Sequence, residues 1–121
     1  MFGKKEELNS AKDRVETIIG KNAEFQGKII SSGVLKIDGT MEGEIESESD
    51  IIISEGSKVK AQIKANNAVI AGEYQGNIFL KGKLYIKTSG KVTGDVKVEG
   101  IIVEEGAEFN GKCEMIRTEN G

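Results

Sequence analysis

A chain of 121 residues has room for one domain. Its charges nearly cancel, leaving a net charge of −3, which excludes a general nucleic-acid binder because that needs a clustered basic surface. Only 37% of residues are hydrophobic and 5% aromatic, with sixteen Gly and no Pro. That is thin for a conventional globule. It suits a narrow core whose strands are hydrogen-bonded on both edges, where proline would remove a donor.

Residues 1–16, MFGKKEELNSAKDRVE, differ in character from the rest of the chain. Met1 and Phe2 lie beside Lys4 and Lys5, and Leu8, Ala11, Val15 and Ile18 have the 3–4 spacing of a weak helical stripe. So short a stripe is marginal as a helix alone, so residues 1–14 are expected to be disordered unless bound. The leader has no secretory apolar stretch and the chain no run of the ~18–20 apolar residues a membrane span needs, so the expected compartment is the cytoplasm.

From Thr17 the chain becomes a series of short β-rich runs separated by Gly, Ser, Asn and Asp. One column organises them: Phe25, Met41, Val59, Tyr74, Val92 and Phe109, at intervals of 16, 18, 15, 18 and 17 residues. Two positions after each comes a small residue (Gly27, Gly43, Ala61, Gly76, Gly94, Gly111), and two further on Ile29, Ile45, Ile63, Ile78, Val96 and Cys113. Such a period indicates a stacked repeat. A second set of runs precedes the column: Ile18-Ile19, Val34 to Ile37, Ile51 to Ile53, Ala68 to Ile70, Leu84 to Ile86 and Ile101 to Val103. Each repeat therefore holds two or three short strands joined by tight turns.

Six such repeats stack as the coils of a single-stranded parallel β-helix, a rod of about 25–30 Å at ~4.8 Å per coil. The uneven intervals fit the irregular right-handed form better than the left-handed form with its strict six-residue period. The charges give an independent test of register. Stacking the columns opposes Glu42 with Lys60, Lys28 with Glu44, Glu46 with Lys64, Asp95 with Lys112 and Lys97 with Glu114, and puts no like charges side by side.

The acidic stretch from Glu42 to Asp50 places carboxylates about 7 Å apart along a strand, too dispersed for calcium, and reads as a paired solvated face. The chain has no histidine, which removes Ser–His and Cys–His nucleophiles and imidazole metal sites. Its lone cysteine, Cys113, falls in the inward column and reads as a small core residue. No phosphate-loop motif occurs. The expectation is a protein that is not an enzyme and has no catalytic residues, cofactor or metal.

Both ends of a β-helix expose strand edges and a cross-section of the core, and the sequence provides no visible cap. The expected polymerisation interface is Phe109, Ile101, Val103, Cys113 and Met115 at one end, and Ile18, Ile19 and Phe25 at the other. An unclosed end-to-end contact gives a filament.

The leader MFGKK, the segment Thr17-Ile-Ile-Gly…Phe-Gln-Gly27, the coil Leu35-Lys-Ile-Asp-Gly-Thr-Met-Glu-Gly-Glu-Ile45 and the closing Gly106-Ala-Glu-Phe-Asn-Gly111 together resemble the bactofilins, polymer-forming cytoskeletal proteins of bacteria. The resemblance implies a right-handed triangular β-helix domain over 17–116, a leader over 1–16 and a short tail over 117–121. It further implies nucleotide-free, non-polar filaments joined through like ends, with Phe109 at the position of a terminal-coil Phe important for polymerisation. Met1, Phe2, Lys4 and Lys5 look like the family's membrane-targeting segment, although Glu6, Glu7 and Asp13 oppose attraction to anionic lipid. The expected partners are the chain itself, the inner face of the cytoplasmic membrane and cell-wall enzymes, with no nucleic acid. The expected role is a scaffold for cell shape or cell-wall machinery. The rival is a β-helix binding module for polysaccharide or a cell-wall enzyme, for which Phe79 and Tyr85 would be the exposed aromatics.

Overall fold

In the computed structural model the described residues are 15–116, and they form fifteen strands arranged in six stacked coils. Coil 1 comprises β1 (Val15–Ile19) and β2 (Glu24–Ser31), coil 2 β3 (Val34–Ile37) and β4 (Thr40–Ser47), and coil 3 β5 (Asp50–Ile53) and β6 (Lys58–Ala65). Coil 4 has three strands, β7 (Asn67–Ile70), β8 (Glu73–Gln75) and β9 (Ile78–Leu80). Coil 5 comprises β10 (Lys83–Ile86), β11 (Lys91–Thr93) and β12 (Val96–Val98), and coil 6 β13 (Gly100–Val103), β14 (Glu108–Asn110) and β15 (Cys113–Met115). Among the described residues there is no helix, and none that could cross a membrane. The first strand begins at Val15, two residues before the start expected from sequence.

All pairing is parallel and runs from coil to coil. The first face is the six-stranded ladder β1-β3-β5-β7-β10-β13. The long strands β2, β4 and β6 cover the second and third faces together. From coil 4 onward the two faces are separate ladders, β8-β11-β14 and β9-β12-β15. The column of Phe25, Met41, Val59, Tyr74, Val92 and Phe109 stacks residue on residue, as does that of Ile29 to Cys113.

Small residues between these columns make the corner. Gly43, Gly76 and Gly94 have φ of +138°, +133° and +138°, a region that L side chains avoid, and a Cβ on Gly94 would come within 2.0 Å of the Gly76 carbonyl oxygen. At these three positions only glycine lets the coil sit this closely on the one before it, while coil 3 carries Ala61 at the same corner. The remaining irregularity lies at the other corners. Coils 1, 3, 5 and 6 carry a turn closed by Ala23, Ser57, Gly90 and Ala107 N–H groups donating to the carbonyls three residues back. Coils 2 and 4 pass that corner two residues shorter, at Gly39 and Gly72, while two passages into the first face are one residue shorter. These two adjustments account for every interval between 15 and 18.

The core is a single apolar column inside the coils. Leu35, Ile37, Ile51, Ile53, Ile70, Leu80, Leu84, Ile86 and Val98 are fully buried. Strand alternation puts every second residue inside, so the 37% hydrophobic content is concentrated where water is excluded. Outside, Lys28 Nζ lies 3.8 Å from carboxylate oxygens of both Glu44 and Glu46, and Lys97 Nζ 4.0 Å from Glu114. Glu42–Lys60 and Glu46–Lys64 are register neighbours as expected. Lys112 meets Asp95 through its backbone N–H, 3.3 Å from the carboxylate, rather than through its ammonium.

Candidate assembly interface at the ends of the rod

The two ends are built from the same register positions as the middle, and among the described residues no further coil lies over them. In coil 6 Ile101, Val103, Phe109, Cys113 and Met115 stand in register with Leu84, Ile86, Val92, Val96 and Val98 of coil 5. The coil 5 residues are all buried to within 1%. Their coil 6 equivalents are not: Val103 is 45% and Met115 53% exposed, Cys113 is exposed, and Ile101 and Phe109 are half-buried. Cys113 therefore keeps the expected inward register but is not a core residue, because no described coil lies over it. Neighbouring apolar atoms still push its thiol pKa up, so it is a neutral apolar patch more than a nucleophile.

At the opposite end Phe25 and Ile29 are half-buried and pack on the core from above, with the Phe25 ring 3.5 Å from where a Gly27 Cβ would sit. Ile19 points inward and is 8% exposed. Ile18 does not belong to this end surface. It pairs with Lys36 and faces outward on the first face, 59% exposed. Alternation decides this, since adjacent residues of a strand cannot both point in.

Each end also presents backbone. Among the described residues β13, β14 and β15 pair only with the coil 5 strands, and β1 and β2 only with β3 and β4. Their outer edges thus carry unpaired N–H and C=O groups around an apolar cross-section, the arrangement that templates addition of another chain. Met1, Phe2, Lys4 and Lys5 lie outside the described residues, as do 117–121.

The rest of the surface is less suggestive of chemistry. Among the described residues no three His, Cys, Asp or Glu side chains gather as a metal site. Phe79 is 41% exposed on the third face, with Ile30, Glu46 and Lys64 along the same outward column. Tyr85 is not a free aromatic platform: its hydroxyl donates to Glu104 at 2.8 Å, while the Thr88 N–H donates to the same carboxylate at 2.9 Å. Those donors hold Glu104 below the usual carboxylate range, and the same carboxylate, accepting from the Tyr85 hydroxyl, raises the Tyr85 pKa.

The bactofilin family model, described as polymer-forming cytoskeletal, matches residues 17–114, from within the first strand to within the last. The chain is a bactofilin. This bactofilin is 34% identical to Bactofilin BacO of Myxococcus xanthus over 99 residues, covering 82% of the chain and 79% of BacO. It is 40% identical to Bactofilin BacN of the same organism over 98 residues, 81% of the chain and 87% of BacN. With BacP it shares 27% identity over 115 residues, 95% of the chain but about half (48%) of BacP. No solved structure matches. The family's polymer-forming character gives this bactofilin a cytoskeletal, structural role.

Two features are not evident from the sequence pattern. One is the buried hydroxyl of Tyr74, which reaches the Ala61 and Asn77 carbonyl oxygens. The other is the outer side of the first face. Ile51-Ile52-Ile53 and Ile101-Ile102-Val103 each contain three successive apolar residues, so alternation must turn at least one of them outward. That triplet is the signal by which the outer stripe could be found.

Proposed function

We propose that the subunits polymerise end to end, without nucleotide, through the apolar cross-sections and free strand edges of coils 1 and 6. One observation carries this reading: inward residues that are buried in coil 5 are half-buried or exposed in coil 6, in the same register. Phe109, Ile101, Val103, Cys113 and Met115 form one contact surface, and Ile19 and Phe25 the core of the other. A contact of apolar side chains and backbone edges is complete in every subunit and needs no bound phosphate to create it.

The leader then has a simple role. Met1, Phe2, Lys4 and Lys5 would tether each subunit weakly to the inner face of the cytoplasmic membrane. Polymerisation multiplies such tethers, raising overall avidity roughly 10²–10⁴-fold above a single site. A filament held there offers a repeating platform to cell-wall enzymes and thereby a scaffold for cell shape.

The test is negative-stain microscopy of the purified full chain without ATP, GTP or divalent metal. Filaments are expected, and a strictly monomeric species at high concentration would overturn the reading.

A further inference from the structure

The third face carries a groove that its own strands do not fill. It has a volume of about 390 Å³ and follows the corner between the third and first faces from coil 1 to coil 4. Ile30, 72% exposed, stands at its head and Phe79, 41% exposed, at its foot. Glu46 and Lys64 lie between them in the same outward column, and Glu48 and Lys81 line the side toward the corner. The charges are incompletely matched within the rod. Glu46 pairs with Lys28 at 3.8 Å, and among the described residues neither Lys64 nor Lys81 has a carboxylate partner. Exposed apolar side chains beside unpaired cations mark a surface that something covers.

The start of the first strand says what covers it. Val15 pairs with Val34, and coil 1 passes from the third face to the first between Ser31 and Val34. Residues 6–14, which lie outside the described residues, therefore join the rod at the corner where the groove begins. From Ile30 to Phe79 is three coil spacings, about 14 Å. The seven steps from Val15 back to Leu8 span about 10 Å as a helix and about 23 Å extended, which brackets that distance.

The order of charges fits as well as the reach. Counted back from Val15, Arg14 and Lys12 come first, then Ala11 and Leu8, then Glu7 and Glu6. Counted down the groove, Glu46 and Glu48 of coil 2 come first, then Lys64 of coil 3 and Lys81 of coil 4. The two series are opposite in sign along their length, with Asp13 the one charge out of order. Attachment at the head of the groove also gives the segment a roughly millimolar effective concentration, which no separate peptide has without being supplied at that level.

We propose that residues 6–14 of the chain's own leader dock in this groove. Leu8 lodges between Ile30 and Phe79, Lys12 and Arg14 face Glu46 and Glu48, and Glu6 and Glu7 face Lys64 and Lys81. The docking needs neither polymer nor membrane. Where the tether proposed above holds, it turns the third face toward the lipid, because Met1 to Lys5 then leave the rod beside coil 4.

The test is a nitroxide on Ser10→Cys in the full chain with Cys113→Ser, read by electron paramagnetic resonance without lipid. An immobilised spectrum is expected, and its loss in Phe79→Ser and in Lys64→Glu with Lys81→Glu. Adding Glu6→Lys and Glu7→Lys to the second variant should restore it, which a purely structural effect of the lysine substitutions would not allow. Circular dichroism checks that each variant stays β-rich. A mobile label in the chain with its groove intact would overturn the proposal. So would an immobilised label that the groove substitutions leave unchanged, or a swap that fails to restore it. A labelled Phe79→Ser chain is then mixed with an excess of unlabelled chain whose groove is intact. The label should stay mobile, and its immobilisation would give the groove to the leader of a second copy and overturn docking within one chain.

Discussion

Val92 and Phe109 stand directly over one another on adjacent coils, yet Val92 is 1% exposed and Phe109 is only half-buried. The same inward position is interior in coil 5 and a surface in coil 6. This relationship separates residues that hold a subunit together from residues that hold subunits to each other.

Phe109→Arg should therefore behave differently from Val92→Arg. A cation at Phe109 can reach solvent over the open end, so the variant is expected to keep its β-rich circular dichroism while filaments shorten or vanish. At Val92 the same cation would be trapped in the core without a partner, costing several kcal/mol and unfolding the rod. Filaments of normal length from folded Phe109→Arg protein would remove Phe109 from the interface.

Most of the coil register was legible because apolar period and charge pairing are independent and agree. Lys28 with Glu44 and Lys97 with Glu114 are close in the structure as well as adjacent in register. Less legible was what a coil's position in the stack does to its residues. Cys113 has the same place in its repeat as Val96, but among the described residues only Val96 has a coil on each side. Ile18 and Ile19 looked equivalent in an apolar pair, and strand alternation puts them on opposite sides of the wall. The outer apolar stripe was hidden because runs such as Ile51-Ile52-Ile53 read as core before the facing of each residue is assigned.

Corner glycines should be far less replaceable than turn glycines. Gly94 has φ +138° and its Cβ would overlap the Gly76 carbonyl oxygen, whereas Gly56 has φ +89° with nothing within 4 Å of its Cβ. Gly56→Ala bears only the backbone penalty, about 1–2 kcal/mol. Gly94→Ala adds a backbone clash that only a displaced coil can relieve, so its loss should exceed about 3 kcal/mol. Denaturant melts of the two variants check this, and equal losses would show that the coils are not held at that spacing by the corner.

Acid should weaken the rod through two carboxylates on the first face. Ser54 donates to Asp38 at 2.5 Å with Lys36 beside it, and Tyr85 and Thr88 donate to Glu104. The Ser54 hydroxyl lowers the Asp38 pKa most, against a burial effect that raises it, and the Tyr85 hydroxyl lowers Glu104 most. A folded pKa below the unfolded value means stability that is present at neutral pH and lost as pH falls through about 4 and lower. Thermal melts should show a lower midpoint at pH 3 than at pH 6, with a shallower fall in Glu104→Gln. Identical slopes for variant and wild type would exclude Glu104 as a contributor. Both groups are substantially solvated, so the effect should be modest.

Tyr74 supplies the corresponding test at alkaline pH. It is the one aromatic in the fully buried part of the organising column, 2% exposed, and its hydroxyl serves the carbonyl oxygens of Ala61 and Asn77. Ala61 is the single non-glycine in the corner column, and Tyr74 belongs to the coil stacked directly on it. Tyr74→Phe keeps the ring and leaves those carbonyls without the phenol, costing about 1–2 kcal/mol. Burial also holds the phenol pKa well above its ordinary value. The unfolded chain loses that proton near pH 10 while the folded chain keeps it, so stability is full below that pH and falls as pH rises through it. Wild-type protein should lose stability more steeply than Tyr74→Phe above pH 10, with the two curves converging. Parallel curves across that range would mean that the phenol reaches solvent and that the coil 3–coil 4 corner is open to water.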